Sequence, residues 1–244
     1  MEAKRVAASA AATLLLEEYR DARIVGVGTG STVALVLEEV ARREPGFYKG
    51  RLFLASSLDT LVRLQKLGAE NVALGAASAT PEIYFDGADE VVVAAGCPAL
   101  KGRGGALYLE KILASYSSEA ILVVDESKVS GRLGEKGKPL PIDVDPLALR
   151  GVAEMLESRS ISYRLRTGSG KDGPVVSDAG GVIIDVEVEA GRVEEVAGFI
   201  ERLPGVRATG FFHGIFTRLV IGYSDGRTMH YDCRGARVIP GRGG

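Results

Sequence analysis

Apolar residues in this chain gather in short continuous runs that alternate with stretches of helical spacing, and glycine-rich turns separate the two. Val6, Ala10, Leu14 and Glu18 step by four, which predicts an amphipathic first helix. Arg23 to Val27 reads as a short buried strand, and Val33, Val36, Leu37 and Val40 follow at helical spacing. Arg51 to Ala55 repeats the strand and Leu58 to Leu67 the amphipathic helix, which Gly68 stops as a C-cap. Asn71 to Leu74, Glu82 to Phe85 and Val91 to Ala94 read as strand, Ala106 to Tyr116 as helix, and Ala120 to Val124 as an apolar strand ending at Asp125. Apolar strands alternating with helices predict a Rossmann-like α/β domain, its mostly parallel sheet covered on both faces.

Lys138-Pro139-Leu140-Pro141 breaks this rhythm. A helix (Leu147 to Ser158), two strands (Ile161 to Arg166, Val182 to Val188), a helix (Val193 to Leu203) and a strand from near Val206 then predict a smaller α+β unit. The expected division is a main α/β domain of residues 1–134 and 207–244, with residues 135–206 as the small domain. Thr217 to Tyr223 and Thr228 to Cys233 flank Ser224-Asp225-Gly226-Arg227, a hairpin with an Asp-Gly turn. The final Gly-Arg-Gly-Gly reads as a loose tail.

Composition narrows the function classes. The 244 residues are 46% hydrophobic and 25% charged, enough for a sizeable core. With 30 Lys+Arg against 32 Asp+Glu, the net charge of -2 argues against nucleic acid and anionic membrane as partners. Cys97 and Cys233 stand far apart in no metal-ligand spacing and are expected to be reduced thiols. His213 and His230 are the sole histidines, too few for a His-rich metal site. The apolar Val6 to Leu16 is far short of a membrane span and is followed by Glu17 and Glu18, so a cytoplasmic location is expected.

Three segments can carry chemistry. Gly26-Val27-Gly28-Thr29-Gly30-Ser31-Thr32 lies between a strand and a helix, where backbone N–H groups favour an anion. Tight strand-to-helix packing alone would also explain it. No lysine precedes Ser31 as a P-loop requires, and the second strand ends in Ala55-Ser56-Ser57 without the carboxylate that reads a dinucleotide ribose. A single small phosphate fits better. Asp86-Gly87-Ala88-Asp89-Glu90 crowds three carboxylates into a strand-end loop, either around something cationic or hydroxylated, as a metal site, or as a solvated acidic turn. Lys101-Gly102-Arg103-Gly104-Gly105-Ala106 runs into a helix on which Glu110 flanks the apolar stripe of Leu109, Ile112, Leu113 and Tyr116. Partly buried, Glu110 would have a raised pKa suited to a general base; exposed, it is an ordinary helix glutamate.

Taken in order, these segments resemble the ribose-5-phosphate isomerase A family along nearly the whole chain. The resemblance is carried by Gly28 to Thr32, Ser56-Ser57 with Thr60, Asp86 to Glu90, Lys101-Gly102 with Gly104, and Glu110-Lys111. It continues through Asp125 to Lys128, Leu133-Gly134, Pro139 to Pro141, Val176 to Asp178 and Leu203 to Val206. The family implies a small ferredoxin-like domain inserted near Pro-Leu-Pro, a homodimer or homotetramer, a sugar-phosphate substrate and no cofactor or metal. By position, Glu110 matches the family's proton acceptor, acting through an enediolate, Asp86 and Asp89 the carboxylates that handle hydroxyl protons and ring opening, and Lys101 the lysine that offsets developing charge. Thr29, Gly30, Ser31, Thr32, Asp86, Gly87, Ala88, Asp89, Lys101, Gly102, Arg103, Gly104 and Lys128 match substrate-binding positions. Arg103, Tyr108 and Leu109 depart from the family's usual glycine, threonine and arginine, and Lys138 and Ala179 differ within the small domain.

Two other classes compete: a non-catalytic sugar-phosphate sensor, and a coenzyme A transferase-like enzyme using Glu110 as nucleophile. Glu110, Lys101 and both aspartates together favour the isomerase, since binding alone requires no base.

Overall fold

The structure is a computed structural model that describes residues 1–76, 79–170 and 172–239. The expected C-terminal tail, residues 241–244, lies outside them. The chain opens with α1 (Glu2–Glu17), β1 (Ile24–Val27), α2 (Ser31–Arg43), β2 (Leu52–Ala55), α3 (Leu58–Lys66), β3 (Asn71–Leu74) and β4 (Ile83–Asp86). A short hairpin follows, β5 (Glu90–Val92) and β6 (Ala99–Leu100), then α4 (Leu107–Tyr116), β7 (Glu119–Asp125) and β8 (Val129–Ser130). Next come β9 (Leu140–Val144), α5 (Leu149–Glu157), β10 (Tyr163–Leu165), β11 (Val182–Val186), α6 (Val193–Ile200) and β12 (Val206–Thr209). The chain closes with β13 (Phe211–Phe212), β14 (Arg218–Gly222), β15 (Thr228–Asp232) and β16 (Arg237–Ile239).

Among the described residues the central sheet runs β16-β15-β14-β7-β4-β1-β2-β3. The run from β14 to β3 is parallel, and β15 and β16 add an antiparallel edge. Alternate residues of its strands feed two cores: Ile121 and Val123 face α1 and α2, while Leu122 and Val124 face the side packed by Leu113 of α4. Burial on both faces is why the strands read as continuous apolar runs. From β1 the chain winds outward through β2 and β3, whereas β4 and β7 lie on its other side. The crevice beyond the carboxyl ends of β1 and β4 is therefore the topological switch point of the sheet.

The small unit is a β-α-β-β-α-β arrangement with strand order β10-β11-β9-β12, the ferredoxin-like order. Strand β9 occupies the Pro-Leu-Pro segment read from sequence as a break, and β12 crosses the expected 206/207 boundary. A third sheet, β13-β6-β5-β8, joins the two. Cys97 and Cys233 correct the sequence expectation. They form a disulfide rather than free thiols, with Cα atoms 5.2 Å apart. The tip of the β5–β6 hairpin meets the end of β15, Gly96 N donating to Cys233 O at 2.6 Å, and this closes a separation of 136 residues that spacing could not reveal.

Candidate active site

Three separate elements bring one lysine and two carboxylates together. Asp86 ends β4 and is fully buried, and neighbouring β1 delivers Gly28 against it. A Cβ on Gly28 would stand 2.0 Å from Asp86 Cγ, so glycine is required there. Asp86 Oδ1 accepts from Thr29 N at 3.2 Å and Gly87 N at 2.7 Å, and Oδ2 accepts from the buried Tyr84 hydroxyl.

The β5–β6 hairpin sets Asp89 beside Lys101, since Glu90 pairs with Leu100 and Asp89 N donates to Leu100 O. Lys101 Nζ lies 2.8 Å from Asp86 Oδ2 and 3.2 Å from Glu110 Oε2, and it donates to Gly87 O at 2.7 Å. Burial pulls the Lys101 pKa down, but Asp86 and Glu110 more than offset this, so its net shift is upward and it stays charged.

Glu110 sits in the first turn of α4, buried on the helix face turned to the site. Its Oε2 is at ion-pair distance from Lys101 but has no hydrogen-bond donor among the described residues. Burial, reinforced by Asp86 and opposed by Lys101, pushes its pKa up to about 8. A carboxylate that is poorly solvated, unbonded at one oxygen and titrating near neutrality is well suited to accept a proton.

A cavity of about 430 Å³ opens above this group, and Thr29, Gly30, Ser31, Thr32, Gly87, Ala88, Asp89, Lys101, Gly102, Arg103, Gly104, Glu110 and Lys128 line it. Asp86 lies beneath it. At the other end Gly30, with φ 116, turns the chain into α2, and no side chain caps the helix. The first N–H groups of α2 and the hydroxyls of Ser31 and Thr32 are donors of the kind that can hold an anion.

Thr29 lines the cavity, and its hydroxyl turns to Ser56 Oγ at 2.7 Å and Ser57 Oγ at 2.8 Å, so its side chain also braces the turn. Sequence reasoning missed Lys4 of α1, which lines the cavity and donates to Ser31 Oγ at 3.1 Å. A lysine 27 residues upstream in a surface helix carries no motif that would reveal it. Tyr108, one of the departures from the family pattern, stacks under Arg207 at 4.6 Å and helps pack α4 against the small unit. Among the described residues no group of three or more His, Cys, Asp or Glu side chains is placed to hold a metal ion, and no helix is long and apolar enough to cross a membrane.

Comparison with known proteins bears on what this arrangement does. Residues 52–226 match the sequence profile described as Ribose 5-phosphate isomerase A (phosphoriboisomerase A). A ribose-5-phosphate isomerase A from Aeropyrum pernix is 42% identical over 206 residues, covering 82% of this chain and 83% of its own. One from Methanothermobacter thermautotrophicus is 36% identical over 219 residues, covering 88% and 93%. Among solved structures, ribose 5-phosphate isomerase A from Methanocaldococcus jannaschii superposes with a TM-score of 0.81 at 31% identity, covering 92% of this chain and 96% of its own. A D-ribose-5-phosphate isomerase in complex with phospho-erythronic acid gives a TM-score of 0.81 at 27% identity, covering 95% and 100%.

Proposed function

Because this chain belongs to the ribose-5-phosphate isomerase A family, we propose that its cavity interconverts D-ribose 5-phosphate and D-ribulose 5-phosphate, with Glu110 carrying the proton between C1 and C2. The chain is an isomerase of the pentose phosphate pathway; the division of labour among its residues is our reading. The phosphate rests at the start of α2, on Ser31, Thr32 and the N–H groups, with Lys4 and Lys128 as nearby cations. The sugar then extends toward Lys101 and Glu110.

Asp86 and Asp89 act on hydroxyl hydrogens, opening the ring and moving the O2 proton toward O1. Glu110 takes the proton from C2, leaving an enediolate whose negative charge the Lys101 ammonium offsets. Returned to C1 by the same carboxyl, that proton leaves the carbonyl at C2. No oxidant or second substrate is needed, since the electrons move within one molecule.

One observation supports this most strongly: the buried Glu110 with an unbonded oxygen, held within 3.2 Å of Lys101 at the end of the cavity away from the anion seat. A ligand sensor has no use for a raised, poorly solvated base there. Purified protein given ribose 5-phosphate is expected to form ribulose 5-phosphate, and absence of turnover would refute the assignment. We also place the enzyme in the cytoplasm as a homodimer or homotetramer, with the small domain running from residue 135 through the end of β12 at Thr209. Disulfides are uncommon in that compartment outside heat-adapted organisms. Both cysteines are fully buried, which withholds this bond from soluble thiols.

A further inference from the structure

The small unit reaches into the catalytic loop through one side chain. Arg166, just after β10, sends its guanidinium across to the segment 101–104, where Nη1 donates to Gly102 O at 2.8 Å and to Arg103 O at 2.9 Å. The rest of the fork is held by Asp185 of β11, with Nε donating to Oδ2 at 3.0 Å and Nη2 donating to Oδ1. Asp185 is buried, and the Arg166 side chain is 15% exposed, so both groups are largely out of water. Arg164 approaches the same carboxylate at 3.4 Å but is 71% exposed and touches neither loop carbonyl.

On its other side the same loop is held through its N–H groups. Arg103 N donates to Asp89 Oδ2 at 3.1 Å, and Lys101 N donates to Gly210 O at 2.8 Å. Between these anchors the loop contains Gly102, Gly104 and Gly105, residues that restrict the backbone least. Its conformation must therefore be set from outside. A planar guanidinium can do this, because it bonds a carboxylate along its Nε–Nη2 edge and two carbonyls through the remaining Nη1 amino group, an arrangement that a lysine ammonium cannot reproduce.

We propose that Arg166, held by Asp185, is a positioning residue for the isomerisation. It fixes the carbonyls of Gly102 and Arg103 and thereby keeps Lys101 and Asp89 in register around the reacting carbons. Through this contact the small unit completes the site, though none of its described side chains lines the cavity. The proposal rests on reading that cavity as a ribose 5-phosphate site.

The test replaces Arg166 with alanine and, separately, with lysine, and measures turnover on ribose 5-phosphate together with hydrogen exchange at the amides of Lys101, Arg103 and Gly105. Displacing groups that hold reacting atoms typically costs ~100-fold. We expect kcat to fall by that order in Arg166→Ala and by at least tenfold in Arg166→Lys. Inhibition by inorganic phosphate should change less than threefold, because its seat at α2 lies outside the loop. Loop amides should exchange at least tenfold faster, and millimolar guanidinium should restore part of the alanine variant's kcat. Asp185→Asn should lose rate as well, and combining it with Arg166→Ala should add little. A variant that melts earlier yet keeps kcat within threefold of the parent would make the pair merely structural and overturn the proposal. A loss of kcat without faster loop exchange would overturn it too. Should the parent not act on ribose 5-phosphate, the substrate reading fails, and loop exchange alone decides whether Arg166 is a clamp.

Discussion

The two ends of the cavity are built in opposite ways. The anion seat is local: one strand, one glycine turn and one helix start supply Gly28 to Thr32, and the seat faces water. The end we propose for proton transfer is assembled from β4, the β5–β6 hairpin and α4, and Asp86, Lys101 and Glu110 are all buried. The contrast follows from what each end must do. A phosphate dianion is well held by oriented N–H groups at the protein surface. A carbon acid yields its proton only to a base whose own hydration has been stripped away, and that requires elements converging from distant parts of the chain.

The contrast between the two ends breaks hardest at Glu110. Glu110→Gln keeps shape but cannot accept a proton, so kcat should fall by ~100-fold to ~10,000-fold while KM changes little. Steady-state rates on ribose 5-phosphate check this, and a kcat near the parent value would put the base elsewhere.

The pH profile is the next lever. Burial raises the Glu110 pKa to about 8. The group is a base only when ionised, so kcat/KM should decline below that pH, by roughly tenfold per unit once the single proton is fully bound. An acid limb near the ordinary carboxylate value of 4.5 would show that the free enzyme does not bury its base. The same shift has a stability consequence. A folded carboxyl that retains its proton above 4.5 adds stability at low pH, and that stability is lost as pH rises through about 8. Glu110→Gln should therefore melt higher, relative to the parent, above pH 8 than below pH 5.

The anion seat should respond in binding and not in chemistry. Ser31→Ala with Thr32→Ala removes two hydroxyl donors near a charged group, each worth ~1.5 kcal/mol, so KM should rise by ~100-fold with kcat largely kept. A collapse of kcat at unchanged KM would move the phosphate to the other end. Lys4→Ala removes a partly solvated cation and should raise KM only a few-fold, an effect that added salt should erase. Titrating KM against ionic strength in parent and variant measures it.

What could be read from sequence follows the same division. The glycine turn and both apolar faces of the sheet were legible because their pattern is local. The stripe expected on α4 is corrected by the structure: Leu107, Glu110, Leu113 and Ala114 form its buried face and Tyr116 is exposed, so Glu110 lies within that face and not on its flank. Strand β9 was hidden by Pro139 and Pro141, since proline supplies no ladder N–H, and β6 by having two residues. The inward turn of the Thr29 hydroxyl, the approach of Lys4, the reach of Arg166 and the joining of Cys97 to Cys233 are contacts between segments far apart in the chain. No periodicity encodes them, because they depend on how the three sheets pack.

The central claim, that Glu110 moves the proton between neighbouring carbons, is tested most directly by turnover in deuterated water with the label at C1 and C2 followed by NMR. The account predicts that the parent introduces solvent deuterium at the transferred position, because a carboxyl open to the cavity exchanges its proton before returning it. Glu110→Gln should introduce none while still binding phospho-erythronic acid. Deuterium incorporation by the glutamine variant at the parent rate would contradict the account.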